Sequence, residues 1–282
     1  MPALGKSETF RRNDAQPIAS YRPMRLLFVG DVFGRPGRRA VKQILPDLRQ
    51  AENVDLCIVN GENAAAGLGI NKKCADELFG AGADLITLGN HTFSNKEIHR
   101  IINSEKRLIR PLNLPPGNPG IGAAEFSHLG TTYVVTQLCG RIFLPPYDCP
   151  FRKIDELMRQ YEGQTNVRFI VDFHAEATSE KIGLGYYVDG RVSVVIGTHT
   201  HVQTADERIL PKGTAYITDV GMTGPYHSVI GIELESGLRR LMQIHPYEAD
   251  VAHGDVRFSA VLVDIDPETG APHSIRRMQI PL

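Results

Sequence analysis

No apolar run among the 282 residues approaches the roughly 20 consecutive positions that a membrane-spanning helix requires. This points away from a membrane-embedded role. Cysteine is scarce: four residues, at positions 57, 74, 139 and 149, with no CxxC pair and no evident framework. Reduced thiols in a cytoplasmic protein are the expectation, with Cys57 part of the core. Charge of one sign is also missing. The 31 basic and 32 acidic residues leave a net charge of −1, so no basic excess exists to hold an extended nucleic acid, and a small anion is the better-matched partner. The first 23 residues are polar and lack the apolar segment of a secretory signal. They read as a poorly ordered extension, or as residues upstream of the true start. No repeat, low-complexity tract or strong linker divides the remainder, and a hydrophobic content of 42% supports a substantial core. Residues 24–282 therefore read as a single domain, with oligomeric state left open.

What is present is an alternation of short apolar runs with amphipathic ones. "MRLLFVG", "VDLCIVNG" and "ADLITLGNH" read as buried, mainly parallel strands, each followed by a helical stretch: "RPGRRAVKQILPDLRQA", "NKKCADELFGAG" and "NKEIHRIIN". From about residue 130 the texture becomes strand-rich, with "TYVVTQL", "VRFIVDFHAE", "VSVVIGTH", "TAYITDVG" and "VRFSAVLVDI", interrupted by helical "FRKIDELMRQYE". The pattern predicts an α/β fold of two packed mixed sheets flanked by helices. "RPLNLPPGNPGIG" is rich in proline and glycine and reads as loop.

The chemistry lies at the strand ends. "VGDVFG" delivers Asp31, "VNGENAAAG" delivers Glu62 and Asn63, and "TLGNHTF" delivers Asn90 and His91. "VDFHAE" delivers His174, and "VVIGTHTHVQT" delivers His199 and His201. In α/β architectures ligands sit in the crevice beyond the carboxyl ends of the strands. Each piece alone has an ordinary explanation as a helix cap, a turn or a hydrogen-bonded histidine. Five strand ends carrying Asp, Glu, Asn and His together favour a shared metal site. In an extended chain the two histidines of "HTH" would point to one face. Imidazole, carboxylate and amide oxygen suit Mn, Fe, Ni or Zn better than Mg.

Taken in order, these motifs resemble the calcineurin-like metallophosphoesterases. "GDVFGRPGR", "NGENAAAGLGI", "GNHTFSN", "FHAEATSEK", "GTHTHVQTAD" and "TDVGMTGP" are similar, more narrowly, to the bacterial YmdB-like branch, over residues 24 to about 280. The resemblance implies a four-layer α/β/β/α sandwich, two divalent metal ions (Fe or Mn foremost, Zn or Ni next) and 2′,3′-cyclic nucleotide phosphodiesterase activity. Phe33 stands where the superfamily carries a histidine, and Glu62 where an aspartate usually bridges the metals. We infer that the Asn63 amide fills the place left by Phe33. One metal would take Asp31, Glu62, Asn63 and His201, and the other Glu62, Asn90, His174 and His199. Thr92 replaces the acid that follows His91 in many relatives.

Two divalent ions set against two carboxylates and a hydroxide leave such a centre about one charge positive, which suits a phosphodiester monoanion. Metal-activated hydroxide would attack phosphorus, with His91 as general acid on the departing oxygen. A phosphomonoesterase or nucleotidase on the same centre is the near alternative. A regulatory protein acting through a protein or RNA partner is the distant one. Glu176 is placed to steady a histidine or to cap a helix. "AAAGLGI" and the loop with Tyr226 and His227 read first as turn and packing chemistry.

Overall fold

The computed structural model describes residues 22–243 and 250–282. The extension expected over residues 1–23 therefore lies, apart from Arg22 and Pro23, outside the described residues. Residue alternation explains the layering. In β1 (Met24–Val29), Met24, Leu26 and Phe28 turn one way and Leu27 and Val29 the other, and all five are fully buried. A strand buried on both faces has to be covered on both sides.

The first sheet contains β1, β2 (Asp31–Val32), β3 (Leu56–Asn60), β4 (Leu85–Thr87) and β5 (Leu108–Ile109). Its other strands come from late in the chain: β12 (Met222–Pro225), β13 (Val256–Ile265) and β14 (Pro272–Pro281). The β1–β3–β4–β5 neighbours run parallel, and β13 is antiparallel to both β1 and β14. The second sheet has the order β10-β11-β9-β8-β7-β6. These strands are β6 (Ala123–His128), β7 (Thr131–Cys139), β8 (Val167–His174), β9 (Val194–Thr198), β10 (Arg208–Ile209) and β11 (Ala215–Ile217). The β7–β8–β9–β11 neighbours are parallel, and an antiparallel strand stands at each edge.

The two sheets pack face to face through Leu26, Phe28, Ile58, Val135, Ile170 and Ile196. Helices α1 (Gly34–Ala51) and α2 (Lys72–Gly80) cover the outer face of the first sheet through Val41, Leu45 and Leu78. Helices α3 (Pro150–Arg159) and α4 (Thr178–Val188) cover the second through Ile154, Leu157, Leu184 and Val188. The four-layer α/β/β/α sandwich is thus as expected. Cys57 lies in the core, and all four cysteines are unpaired. No helix among the described residues is long and apolar enough to cross a membrane.

Strands β6 and β14 do not figure in the sequence reading, and three helical elements also differ from it. "NKEIHRIIN" forms only a 3-10 turn over Lys96–Arg100, begun by the Asn95 side chain accepting from the Glu97 N–H. Helix α4 was not anticipated, because Gly183 and Gly185 punctuate it. At Gly185 a Cβ would stand 2.7 Å from the Tyr216 ring, so glycine lets the helix lie close on β11. Helix α5 (Leu234–Met242) was likewise not anticipated, and Glu233 caps it through the N–H groups of Glu235 and Ser236.

Candidate metal centre

All seven expected ligands gather beyond the carboxyl ends of β1, β3, β4, β8 and β9. Asp31, Glu62 and His174 are fully buried, Asn63 and His201 nearly so, and Asn90 and His199 are half-buried. Asn90 Oδ1 and His199 Nδ1 each stand 2.9 Å from His174 Nε2, and Glu62 Oε1 stands 3.2 Å from it. Asp31 Oδ1 lies 3.8 Å from His174 Nδ1 and 4.0 Å from His201 Nε2. The amide of Asn63 meets His201 Nε2 at 2.9 Å.

The hydrogen-bond partners fix where the protons are. His174 Nδ1 faces Thr198 Oγ1 at 2.9 Å, and that hydroxyl already donates to Asp172 Oδ1 at 2.7 Å. The proton therefore sits on Nδ1, and Nε2 presents a bare lone pair to the acceptor oxygens of Asn90 and Glu62. His199 Nε2 stands 3.1 Å from Glu176 Oε2, which places its proton there and directs the Nδ1 lone pair inward. Glu176 thus orients a histidine, whereas the N-cap of α4 is Ala177. His201 Nδ1–H donates to the Ile230 carbonyl at 2.8 Å, leaving Nε2 as its free acceptor.

Around His174 Nε2 the lone pairs of Asn90, His199 and Glu62 converge with no proton between them, an arrangement that repels unless a cation intervenes. Ligands about 2.1 Å from an ion and at right angles to each other stand about 3.0 Å apart, as Asn90 Oδ1, His199 Nδ1 and Glu62 Oε1 do from His174 Nε2. Asp31 Oδ1, Glu62 Oε1 and Asn63 Oδ1 are buried without any hydrogen-bond partner. In the orientation described, the Asn63 amide turns its nitrogen to His201. Exchange of the chemically similar amide ends would put the orphaned oxygen there instead. Glu62, His174 and His199 present ligand atoms close enough together to hold a metal ion.

The electrostatics agree. Burial, followed by the charges of Asp219, Glu62 and Asp172, pushes the Asp31 carboxyl well above its ordinary range. Burial also raises Glu62, and it pushes Asp172 up to about 7. Burial lowers His174 and His201 and pushes His199 down to about 3, so all three imidazoles are neutral and able to ligate. Carboxylates and neutral imidazoles crowded without countercharge are what a cation would reconcile.

Several contributors were not visible in the sequence reading. Gly89 is one. A Cβ there would fall 1.8 Å from Glu62 Oε2 and 2.6 Å from the His174 ring, so any side chain would displace one of these two residues. The "HTH" segment also departs from expectation, since it is not extended. His199 and His201 have φ of 99° and 65°, in the left-handed region, and the two rings go to different partners. The cause is Asp219, which accepts from the Thr200 N–H at 3.0 Å and from the Thr200 hydroxyl at 2.7 Å. Asp219 is held in turn by Lys181 Nζ at 2.6 Å, with Lys181 1% and Asp219 0% exposed. Lys181→Met should leave Asp219 buried and unpaired, cost roughly 3–5 kcal/mol in chemical denaturation, and loosen the His199–His201 turn. Unchanged stability would show that the pair does not hold the turn.

Phe33 packs its edge on His201, with ring centroids 5.4 Å apart. His91 lies beside the cluster, its N–H 3.4 Å from Glu62 Oε2 and its Nδ1 3.3 Å from Ser94 Oγ. Ser94, rather than the residue after His91, is its orienting neighbour; Thr92 is turned away to donate to the Gly89 carbonyl at 2.6 Å. Tyr226 bonds Ser259 at 2.8 Å and lies under Arg257, a packing role.

Comparison with known proteins identifies the family. Residues 27–278 match the family described as YmdB-like protein. The chain belongs to the YmdB-like family. A 2′,3′-cyclic-nucleotide 2′-phosphodiesterase from Bacillus subtilis (strain 168) is 51% identical over 257 residues, covering 91% of this chain and 97% of that one. Among solved structures, a hypothetical protein from Thermus thermophilus superposes with a TM-score of 0.86 at 46% identity, covering 92% of this chain and 99% of that one. A Mycoplasma pneumoniae protein described as a novel phosphatase superposes with a TM-score of 0.87 at 37% identity, covering 92% and 94%. As a YmdB-like protein the chain is an enzyme of the phosphodiesterase-like type.

Proposed function

We propose that the protein is a dinuclear metal-dependent phosphodiesterase that opens 2′,3′-cyclic nucleotides. The observation that carries the reading is the convergence of unprotonated lone pairs from His174, His199 and His201 on the orphaned oxygens of Asp31 and Glu62. Asp31, Glu62, Asn63 and His201 would hold one ion, and Glu62, Asn90, His174 and His199 the other. When bound, the ions supply Lewis-acid polarisation of the phosphoryl group and acidify a water from a pKa of 15.7 towards about 7. The donors are nitrogen and oxygen without thiolate, which suits Mn, Fe, Ni or Zn, and the family resemblance puts Fe or Mn first.

The chain's own groups do the rest. Glu176, Thr198 and the Ile230 carbonyl hold the three imidazoles in their ligating tautomers. His91 contributes no ligand. Its Nε2 has no partner among the described residues and is free to protonate the departing ribose oxygen. Opening the ring at the 2′ ester leaves a 3′-phosphate, the outcome matching the name of the Bacillus subtilis relative.

The test pairs elemental analysis of protein purified without added metal with turnover of a 2′,3′-cyclic nucleotide, a linear diester and a monoester. About two transition-metal ions per chain and a preference for the cyclic substrate are expected. Preference for the monoester would make the protein a phosphatase on the same centre. Metal without turnover of any substrate would favour a regulatory role.

A further inference from the structure

An overall charge near zero conceals a local excess. Arg35, Arg39 and Lys42 are exposed on α1 at i, i+4 and i+7, a single helix face. Lys73 of α2 opens on the same depression, of about 580 Å³. None of these four side chains makes a hydrogen bond or ion pair with any described residue. The nearby carboxylate, Glu77, is taken by Arg38 Nε at 2.7 Å. Some surface cations elsewhere are paired, as in Arg25–Asp264, Arg107–Glu105, Arg191–Asp155 and Arg257–Asp255. Others, such as Lys96, Arg152 and Lys212, have no side-chain hydrogen-bond or ion-pair partner among the described residues. What sets Arg35, Arg39, Lys42 and Lys73 apart is that they share one hollow. Four like charges with no partner among the described residues, gathered around one hollow, repel each other, and an anionic ligand would relieve that repulsion.

The position of the stripe says which anion. Helix α1 starts at the metal centre: the Gly34 N–H donates to the Asn63 carbonyl at 2.9 Å, and Arg38 bonds the Ala64 carbonyl. From Arg35 to Lys42 the row leads away from the ligand loops along about 10 Å of helix. A 2′,3′-cyclic phosphate forms when a ribose 2′-hydroxyl attacks the adjoining 3′ phosphodiester. The O2′–P bond forms, the P–O5′ bond breaks, and the 2′ proton passes to the departing 5′ oxygen. The group therefore arises at the 3′ end of an RNA strand, with the upstream phosphates attached.

We propose that the Arg35–Arg39–Lys42–Lys73 surface binds those upstream phosphates, and that the substrate class is short RNA ending in a 2′,3′-cyclic phosphate. This rests on the phosphodiesterase reading above. The surface contacts few phosphates, which is compatible with the absence of any overall basic excess.

The experiment compares kcat/KM for 2′,3′-cyclic AMP and for a pentaribonucleotide with a 2′,3′-cyclic end, using metal-loaded full-length protein. At 50 mM KCl the pentanucleotide should be preferred about tenfold. With about three phosphates neutralised, raising the salt to 200 mM should erase that preference, because binding falls about 20-fold. R39Q/K42Q/K73Q should lose the preference while turning over cyclic AMP within about twofold of wild type, since none of the three touches the ligand loops. Arg35, two residues past Phe33 at the lip of the centre, is left unchanged. Equal rates on the two substrates, or a preference that survives in the triple variant, would overturn the proposal. A variant that loses binding to phosphatidylglycerol vesicles but keeps its RNA preference would assign the surface to membranes instead. Should neither substrate be cleaved, the phosphodiesterase reading fails, and anisotropy with the labelled pentanucleotide decides the rest. Weaker binding by the triple variant supports the surface, and equal binding overturns it.

Discussion

Glu62→Ala should empty both cation positions and reduce turnover by at least about a thousandfold, the scale expected when metal-supplied charge stabilisation is lost. Its two carboxylate oxygens are placed differently: Oε1 lies 3.2 Å from His174 Nε2, and Oε2 faces the His91 N–H at 3.4 Å. The sign of the stability change separates this prediction from simple misfolding. In metal-free protein Glu62 is a buried carboxylate whose pKa burial raises, and its charge in turn raises Asp31. Deleting it relieves repulsion, so the variant in chelator should unfold no earlier than wild type. With metal at about a thousand times Kd, wild type should gain about 4 kcal/mol for each ion bound and the variant nothing. Elemental analysis and thermal scans with and without metal check both halves. Retention of one ion per chain would show that Glu62 does not bridge.

Chain periodicity carried most of the fold. Continuous apolar runs such as "LLFV" and "VVIG" can be buried only on both faces, and that requirement forces the sandwich. The candidate ligand residues stood out because each follows such a run, where the chain leaves the sheet. What was not legible depends on tertiary partners. Nothing in "GTHTHV" announces positive φ at two histidines. That geometry exists because Asp219, eighteen and twenty residues downstream of the two rings, captures Thr200. Lys181 gave no signal in "SEK", since only a buried acid across the fold makes a buried lysine tolerable. Asp172 was within reach. It stands two positions before His174, on the same strand face, and it anchors Thr198 and Asn60 at 2.7 and 3.0 Å. Helix α4 was obscured by the two glycines that local propensity penalises, one of which Tyr216 requires.

His91→Ala should keep both ions and lose roughly a hundred- to ten-thousandfold in kcat. We read the ring as lying outside the ligand set. The inward lone pairs belong to His174, His199 and His201, whereas His91 Nδ1 is engaged by Ser94 at 3.3 Å and its Nε2 is unpartnered among the described residues. A residue that only steadied Asn90 would, when removed, lower metal content together with activity. A proton donor leaves metal content alone and makes the rate depend on the leaving group. A ribose alkoxide departs poorly without a proton, and p-nitrophenolate departs readily. The variant should therefore be severely slowed on a 2′,3′-cyclic nucleotide and only mildly on a p-nitrophenyl phosphodiester, with wild type showing the smaller difference. Equal losses on both substrates at full metal occupancy would remove His91 from proton transfer and leave it binding phosphate oxygen. Falling metal content would return it to a supporting role beside Asn90.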